Sequence, residues 1–537
     1  MRIVSKFLFL VVLVFFASNC ARTGTPEGGP KDEEAPLFVT ANPAYESIKF
    51  DKKEIKIDFN EYIVLKDLSK QLVVSPPMKN PPLISPQGSP SKFIKIEILD
   101  TLKLNTTYIF NFGNAVQDNN EGNKLENFKY VFSTGDYIDS LTAKGIVKDA
   151  RSLKNPKDVS VLLYRIDSAF NDSIIYKEKP SYITNNIDSV GFNFTNLRKG
   201  KYLMLALKES VSDYIFNPKT DKIGYVTDTI QLPKDSIIKK SIILFKEEQP
   251  YLFKRGKEVT KGKIEFGFEG DAKNMQINML SEVPKDFKSI SKFEKTKDTL
   301  NFWFTPIEAD SLNFIVSNNN FIDTVTVKLR KKKLDSLIMN SSIKNTLHFR
   351  DTFFLTSNNP IIKIDTSKVS LFDKDTVAVN YKTFRSKKEN KIGIIFNKKP
   401  KDKYRFKAFP NAFNDIYGIT NDTLNYNFRT KEIEDYGRIT LKVNNVNSKN
   451  LIIELLTGKD QLVIERKFIN TSKTIIFDLL EPKNYTIRAI IDKNKNNKWD
   501  TGNFLKKQLA ETIIYHDGIK DAELRANYFL EEIFTID

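Results

Sequence analysis

The feature that most limits what this chain can fold into is a duplication. Tyr108, Asn114, Ala115, Asp118, Gly122, Phe132 and Thr134 recur in the same order as Tyr404, Asn411, Ala412, Asp415, Gly418, Phe428 and Thr430. Upstream, IVLKDLSK at 63–70 is echoed by IIKIDTSK at 361–368, with Asp67, Ser69 and Lys70 against Asp365, Ser367 and Lys368. Two independent anchors define a repeated structural unit. Its period is that of β-structure. Ile55, Ile57 and Phe59 alternate with Lys56 and Asp58, residues 93–99 alternate again, and Tyr108, Phe110 and Phe112 lead towards Tyr130, Phe132 and Thr134. Short alternating strands broken by Pro, Gly and Asn predict a β-sandwich.

A second repeat follows each copy of the first. Phe194, Leu197, Tyr202 and Ala206 keep the mutual spacing of Phe477, Leu480, Tyr485 and Ala489, in each case a strand, a turn and a strand beginning with Tyr. Between the pairs, Ile264, Phe266 and Phe268 alternate, as do Leu300, Phe302 and Phe304, then Val325 and Val327. This middle stretch reads as a further sandwich with Trp303 on one strand. The basic run 330–333 that follows it reads as a solvated junction between units rather than a nucleic-acid or lipid contact.

The beginning of the sequence sets the compartment. Arg2 and Lys6 precede an apolar run from 7 to 16, and Ala17, Ser18 and Asn19 lead into Cys20, the only cysteine. This is the layout of a secretory signal ending in a lipidation site at Cys20. The run is shorter than the roughly 20 residues a membrane-spanning helix needs. Residues 22–36, rich in Gly, Pro and charge, read as a tether. A single cysteine leaves no internal disulfide, so each unit relies on packing. The formal net charge of +17 comes from lysines spread along the chain. Export removes nucleic acid as a partner, and the charge reads as a solvated surface attracted to anionic material.

Against these residues, LKLNTTYIFNFGNAVQDNNEGN with YVFSTG, preceded by IKIDFNEYIVL and VVSPP, resembles the bacterial Ig-like domain named after the S-layer protein SbsA. The lipidation site followed by PEGGPKDEEAP resembles the outer-membrane lipoproteins of Bacteroidota that carry that domain at their N-terminus. In that group a lysine followed by acidic residues directly after the cysteine resembles a surface-export signal. Here Lys31 to Glu34 lie well downstream and read as linker. The second repeat resembles the transthyretin-like fold of carboxypeptidase regulatory domains. The expected fold class is therefore all-β, serial β-sandwiches after a signal peptide and a flexible tether. The expected units are a lipoprotein signal peptide at 1–19, a tether at 20–36, an SbsA-type Ig-like domain at 37–136 and a transthyretin-like sandwich at 137–247. A middle sandwich at 248–335, a second Ig-like domain at 336–431 and a C-terminal transthyretin-like domain at 432–537 complete the series.

The sequence offers no catalytic constellation. The two histidines, His348 and His516, lie in no nucleophile or zinc motif, and the expectation is a protein that is not an enzyme and needs no cofactor. One local motif is weighed as a metal site. Asp492, Asn494, Asn496 and Asp500 place oxygen side chains at alternate positions, as a calcium loop does. Asn497 stands where such a loop has glycine, its last position lacks glutamate, and Lys493, Lys495 and Lys498 surround it, so a turn held by side-chain hydrogen bonds is the favoured reading. The expected function is a structural or interaction lipoprotein, held to the membrane through its N-terminal lipid and partnered by other outer-membrane proteins. The resemblance implies an accessory subunit of an outer-membrane protein assembly or secretion complex. Binding of a glycan or extracellular polymer is the alternative, and an envelope hydrolase is the remaining one.

Overall fold

The computed structural model describes residues 32–186, 190–239, 241–459 and 461–536. Over these residues the chain is nearly all β, with one α-helical turn, Leu68–Gln71, and three short 3-10 turns. The duplicated sequence folds into duplicated sandwiches. In the first module one sheet runs Phe38–Asn42, Glu54–Leu65, Ser91–Glu97, Leu83–Ser85, and the other holds Val73–Ser75, Thr107–Gly113 and Phe128–Ser133. Alternation decides which side chains face inward: Ile55, Ile57 and Phe59 are buried, whereas Glu54 and Lys56 face water. They pack against Phe110, Phe112, Tyr130 and Phe132 of the facing sheet, each burial being worth about 1.5–3 kcal/mol.

The fourth module repeats the scheme. Met339–Ser341, Phe353–Ser357, Lys391–Phe396 and Tyr381–Arg385 face Val369–Phe372, Lys403–Ala408 and Leu424–Arg429. Tyr404 lies opposite Phe428 as Tyr108 lies opposite Phe132. The repeated aspartates explain themselves as turn-formers. The Asp118 carboxylate accepts the backbone N–H groups of Asn120, Glu121, Gly122 and Asn123. Asp415 accepts those of Tyr417 and Ile419 and the Asn359 amide.

The second and fifth modules share another pairing. Leu141–Asp149 lies between Gly191–Leu197 and, in parallel, Ile242–Leu244. Gly437–Asn444 lies between Lys473–Leu480 and, in parallel, Phe529–Thr535. Their facing sheets are centred on Ser160–Arg165 with Gly200–Lys208, and on Leu451–Thr457 with Lys483–Ile491. Those central strands are buried on both faces, as strands covered from two sides must be. The middle module sets Leu252–Thr260, Lys263–Glu269, Thr299–Phe304 and Ser289–Phe293 against Gln276–Met279, Ser311–Asn318 and Phe321–Lys328. Trp303 is buried there with the Lys263 ammonium 5.3 Å from its ring. The basic run is tied down rather than merely solvated: the Lys332 ammonium donates to the carbonyls of Glu258 and Val259, and the Arg330 N–H to the Glu258 carboxylate.

The later modules touch in a cycle. The second meets the third through the Gln249 amide on the Pro218 carbonyl and the Lys219–Glu269 pair. The third meets the fourth through the Tyr417 hydroxyl on the Gly262 carbonyl and through Lys292, which caps the carbonyls of Ser386 and Glu389. Arg350 pairs with Glu465 between fourth and fifth, and the fifth returns to the second. No helix among the described residues is long and apolar enough to cross a membrane.

Candidate functional site

The return contact is made by the loop that the sequence marks as a metal candidate. Asp492 ends the strand Lys483–Ile491 and is buried. Its Oδ1 accepts the N–H of Asn496 at 3.1 Å and its Oδ2 that of Asn497 at 2.9 Å. Asp500 Oδ2 accepts the side-chain amides of Asn494 and Asn496 at 2.6 and 2.5 Å, and Oδ1 pairs with the Lys498 ammonium at 2.7 Å. Glu511 accepts the N–H groups of Lys493 and Asp500 at 2.7 and 3.1 Å. Lys495 and Asn497 adopt left-handed backbone angles, φ 60° and 62°, a conformation asparagine tolerates better than most residues. The structure thus gathers Asp492, Asn494, Asn496 and Asp500 into one tight loop in which each carboxylate is occupied by N–H donors of the loop itself. Among the described residues there is no group of three or more His, Cys, Asp or Glu side chains placed to hold a metal.

The charges follow this arrangement. Burial would raise Asp500, but the Lys498 ammonium and the two asparagine amides hold it below the ordinary carboxylate range. Burial pushes Glu511 up despite its two backbone donors. One carboxylate stays ionised against its partners while the other is penalised for its depth.

The shaped loop presents apolar side chains to the second module. Phe504 is fully buried among Leu162, Tyr164, Leu205, Tyr225 and Phe245, with its ring edge-on to Tyr225 at 5.3 Å and 85°. The Phe504 N–H donates to the Glu247 carboxylate at 2.6 Å, and the Thr501 hydroxyl to the Lys246 carbonyl at 2.6 Å. The Trp499 indole donates to the Glu511 carbonyl at 3.0 Å while the Arg151 guanidinium lies 5.1 Å from its ring. The Tyr515 hydroxyl reaches the Arg151 carbonyl at 2.6 Å, and Lys507 pairs with Asp172 at 2.8 Å. Glycine is required at position 502, since a Cβ there would sit 2.6 Å from the Phe245 ring and 2.7 Å from the Gln508 carbonyl. Burial also pushes the Glu247 carboxyl up.

Sequence reading missed this clamp. Its only local signal is the pair of aromatics, Trp499 and Phe504, in a loop otherwise rich in lysine and asparagine. Cys20, the expected lipidation residue, lies outside the described residues. His348 and His516 hold structure: His348 Nε2 meets the Leu479 carbonyl at 2.8 Å, and His516 Nε2 the Ile533 carbonyl at 2.9 Å.

Residues 32–134 match the family model of a bacterial Ig-like domain. No curated protein matches the chain. Among solved structures, the surface layer protein SbsC, domains 1–6, is similar at 12% identity over 92% of this chain and 68% of that one, with a TM-score of 0.15. A Bacteroides ovatus mixed-linkage glucan utilisation protein, SGBP-B, solved with a mixed-linkage heptasaccharide, is similar at 11% identity over 64% and 85%, TM-score 0.17. BcpA, the major pilin subunit of Bacillus cereus, is similar at 8% identity over 74% and 99%, TM-score 0.15. At these scores the likenesses carry no argument about function. The protein is thus an all-β chain of serial sandwiches whose first module is of the bacterial Ig-like type.

Proposed function

We propose that this is a cell-envelope interaction protein, anchored to the outer membrane by lipid at Cys20, that works as a non-catalytic accessory subunit of an outer-membrane protein assembly or secretion complex. The observation that carries the reading is the clamp, in which Phe504 of the last module is fully buried in the second module. Linking the ends of the second-to-fifth series holds the surfaces of four modules in fixed relation, which suits a scaffold presenting several contacts to a partner. The N-terminal signal and tether supply the support for membrane attachment.

The test is affinity purification of a C-terminally tagged chain from detergent-solubilised outer membranes, with mass spectrometry of what accompanies it. A large β-barrel recovered in stoichiometric amount is the expected outcome. Recovery of the protein alone from intact complexes would overturn the accessory role.

A further inference from the structure

The two Ig-like modules provide an internal control for one surface. The sheet of Val73–Ser75, Thr107–Gly113 and Phe128–Ser133 corresponds to that of Val369–Phe372, Lys403–Ala408 and Leu424–Arg429, with the same register. On the face turned away from the core, Thr107 opposite Ser133 becomes Lys403 opposite Arg429, and Ile109 opposite Val131 becomes Arg405 opposite Asn427. In the first module these four positions are buried. The Thr107 hydroxyl bonds Asp139 at 3.0 Å, and along the same sheet the Ser75 hydroxyl accepts the Ile183 N–H of the second module at 3.1 Å. In the fourth module Lys403, Arg405, Asn427 and Arg429 are exposed.

The fold therefore does not need the cations. Like charges directly opposite one another across a strand pair are destabilising, so the Lys403–Arg429 pairing asks for a reason. Among the described residues no carboxylate is ion-paired with Lys403, Arg405 or Arg429. Asp402 accepts the backbone N–H groups of Lys403 and Lys374 at 2.8 and 3.4 Å. Asp373 accepts those of Asp375 and Val377 and pairs with Lys399 at 3.5 Å. The cations line a groove of about 640 Å³ that also takes in Lys374, Asn345, Asn427 and one carboxylate, Asp373, which is the one paired with Lys399.

We propose that this groove binds an acidic polysaccharide, a sugar chain bearing carboxylates or sulfates. Arginine forks match such groups in bidentate fashion, and asparagine amides donate to and accept from sugar hydroxyls. A concave surface with amides among its cations suits a single chain better than the plane of a bilayer. The proposal rests on the groove alone and stands whether or not an outer-membrane partner is found.

The test uses the full chain purified in detergent and three probes: polygalacturonate, neutral dextran and phosphatidylglycerol vesicles. Two variants are compared, the groove change Lys403→Thr, Arg405→Thr, Arg429→Ser, and a control with equal loss of charge on the middle module, Lys285→Ala, Lys288→Ala, Lys297→Ala. Wild type and control should bind polygalacturonate at ~0.15 M salt and ignore dextran. The groove variant should bind about tenfold more weakly or worse. Equal weakening in both variants, no binding by wild type, or binding to the vesicles alone would overturn the proposal. Should the triple change unfold the module, Arg405→Gln alone must still weaken binding more than any single control change.

Discussion

Replacing Phe504 by alanine isolates the clamp from the module that carries it. The ring is fully buried, yet it belongs to the cluster of the second module and not to the core around Ile439, Leu455, Phe477 and Ile487. Truncating such a phenylalanine costs about 3–5 kcal/mol in lost transfer free energy and residual cavity. Because the ring bridges two modules, that energy is taken from their docking. At roughly 1.4 kcal/mol per decade, the undocked population should rise by between about two and four powers of ten. Hydrogen exchange reads this directly. The Phe504 amide, which alanine retains and which donates to Glu247, and the Asn503–Gln508 backbone pair should lose protection by that factor. The strands Leu451–Thr457 and Lys483–Ile491 should keep theirs. Unchanged protection at 503–508, or equal loss in those strands, would refute the assignment of Phe504 to the interface.

Three further outcomes follow from the same geometry. Gly502→Val should undock the loop as Phe504→Ala does, because its side chain would meet the Phe245 ring and the Gln508 carbonyl; wild-type exchange in this variant would contradict the packing. Glu454→Ala should destabilise the fifth module by about 3–5 kcal/mol, since it strands the buried Arg488 guanidinium that Glu454 holds at 2.6 Å, and a shift in denaturation midpoint worth less than about 1 kcal/mol would count against it. Glu209 has its pKa raised from 4.5 to about 7 by burial, with Asp213 and Asp221 adding to the shift against the Ser160 hydroxyl and the Tyr214 N–H. The native state therefore holds a proton that the unfolded chain has released, so this contribution is complete below pH 4.5 and is lost as pH rises to about 7. Glu209→Gln should leave stability unchanged near pH 4.5 and raise it by up to about 3 kcal/mol above pH 7, and a difference independent of pH would refute it.

What could be read in the sequence was whatever repeats or alternates locally. Ile55, Ile57 and Phe59 announce a half-buried strand because the pleat has a period of two. Asp118 and Asp415 stand out as matched positions of the repeat, and the structure adds the reason, each carboxylate accepting several nearby N–H groups. The clamp was not legible: Trp499 and Phe504 sit in a loop whose local composition predicts exposure, and their burial depends on residues such as Tyr225 and Phe245 from a distant part of the chain. The Asp492 loop was visible as a gathering of oxygen side chains, but spacing alone does not reveal that its carboxylates shape a docking surface. The Lys403–Arg429 pairing lay similarly hidden, because opposition across a strand pair is a fact of register. Glu454 and Arg488 interrupt apolar strands, and that interruption marks sheets covered on both faces.

The measurement that bears most directly on membrane anchoring is metabolic labelling of the full chain with an alkyne-bearing palmitate, followed by membrane fractionation, for wild type and Cys20→Ala. Label on the wild-type chain in the outer-membrane fraction, with the variant unlabelled and released from it, is the predicted result. A wild-type chain that takes up no label and fractionates as a soluble protein would contradict the account.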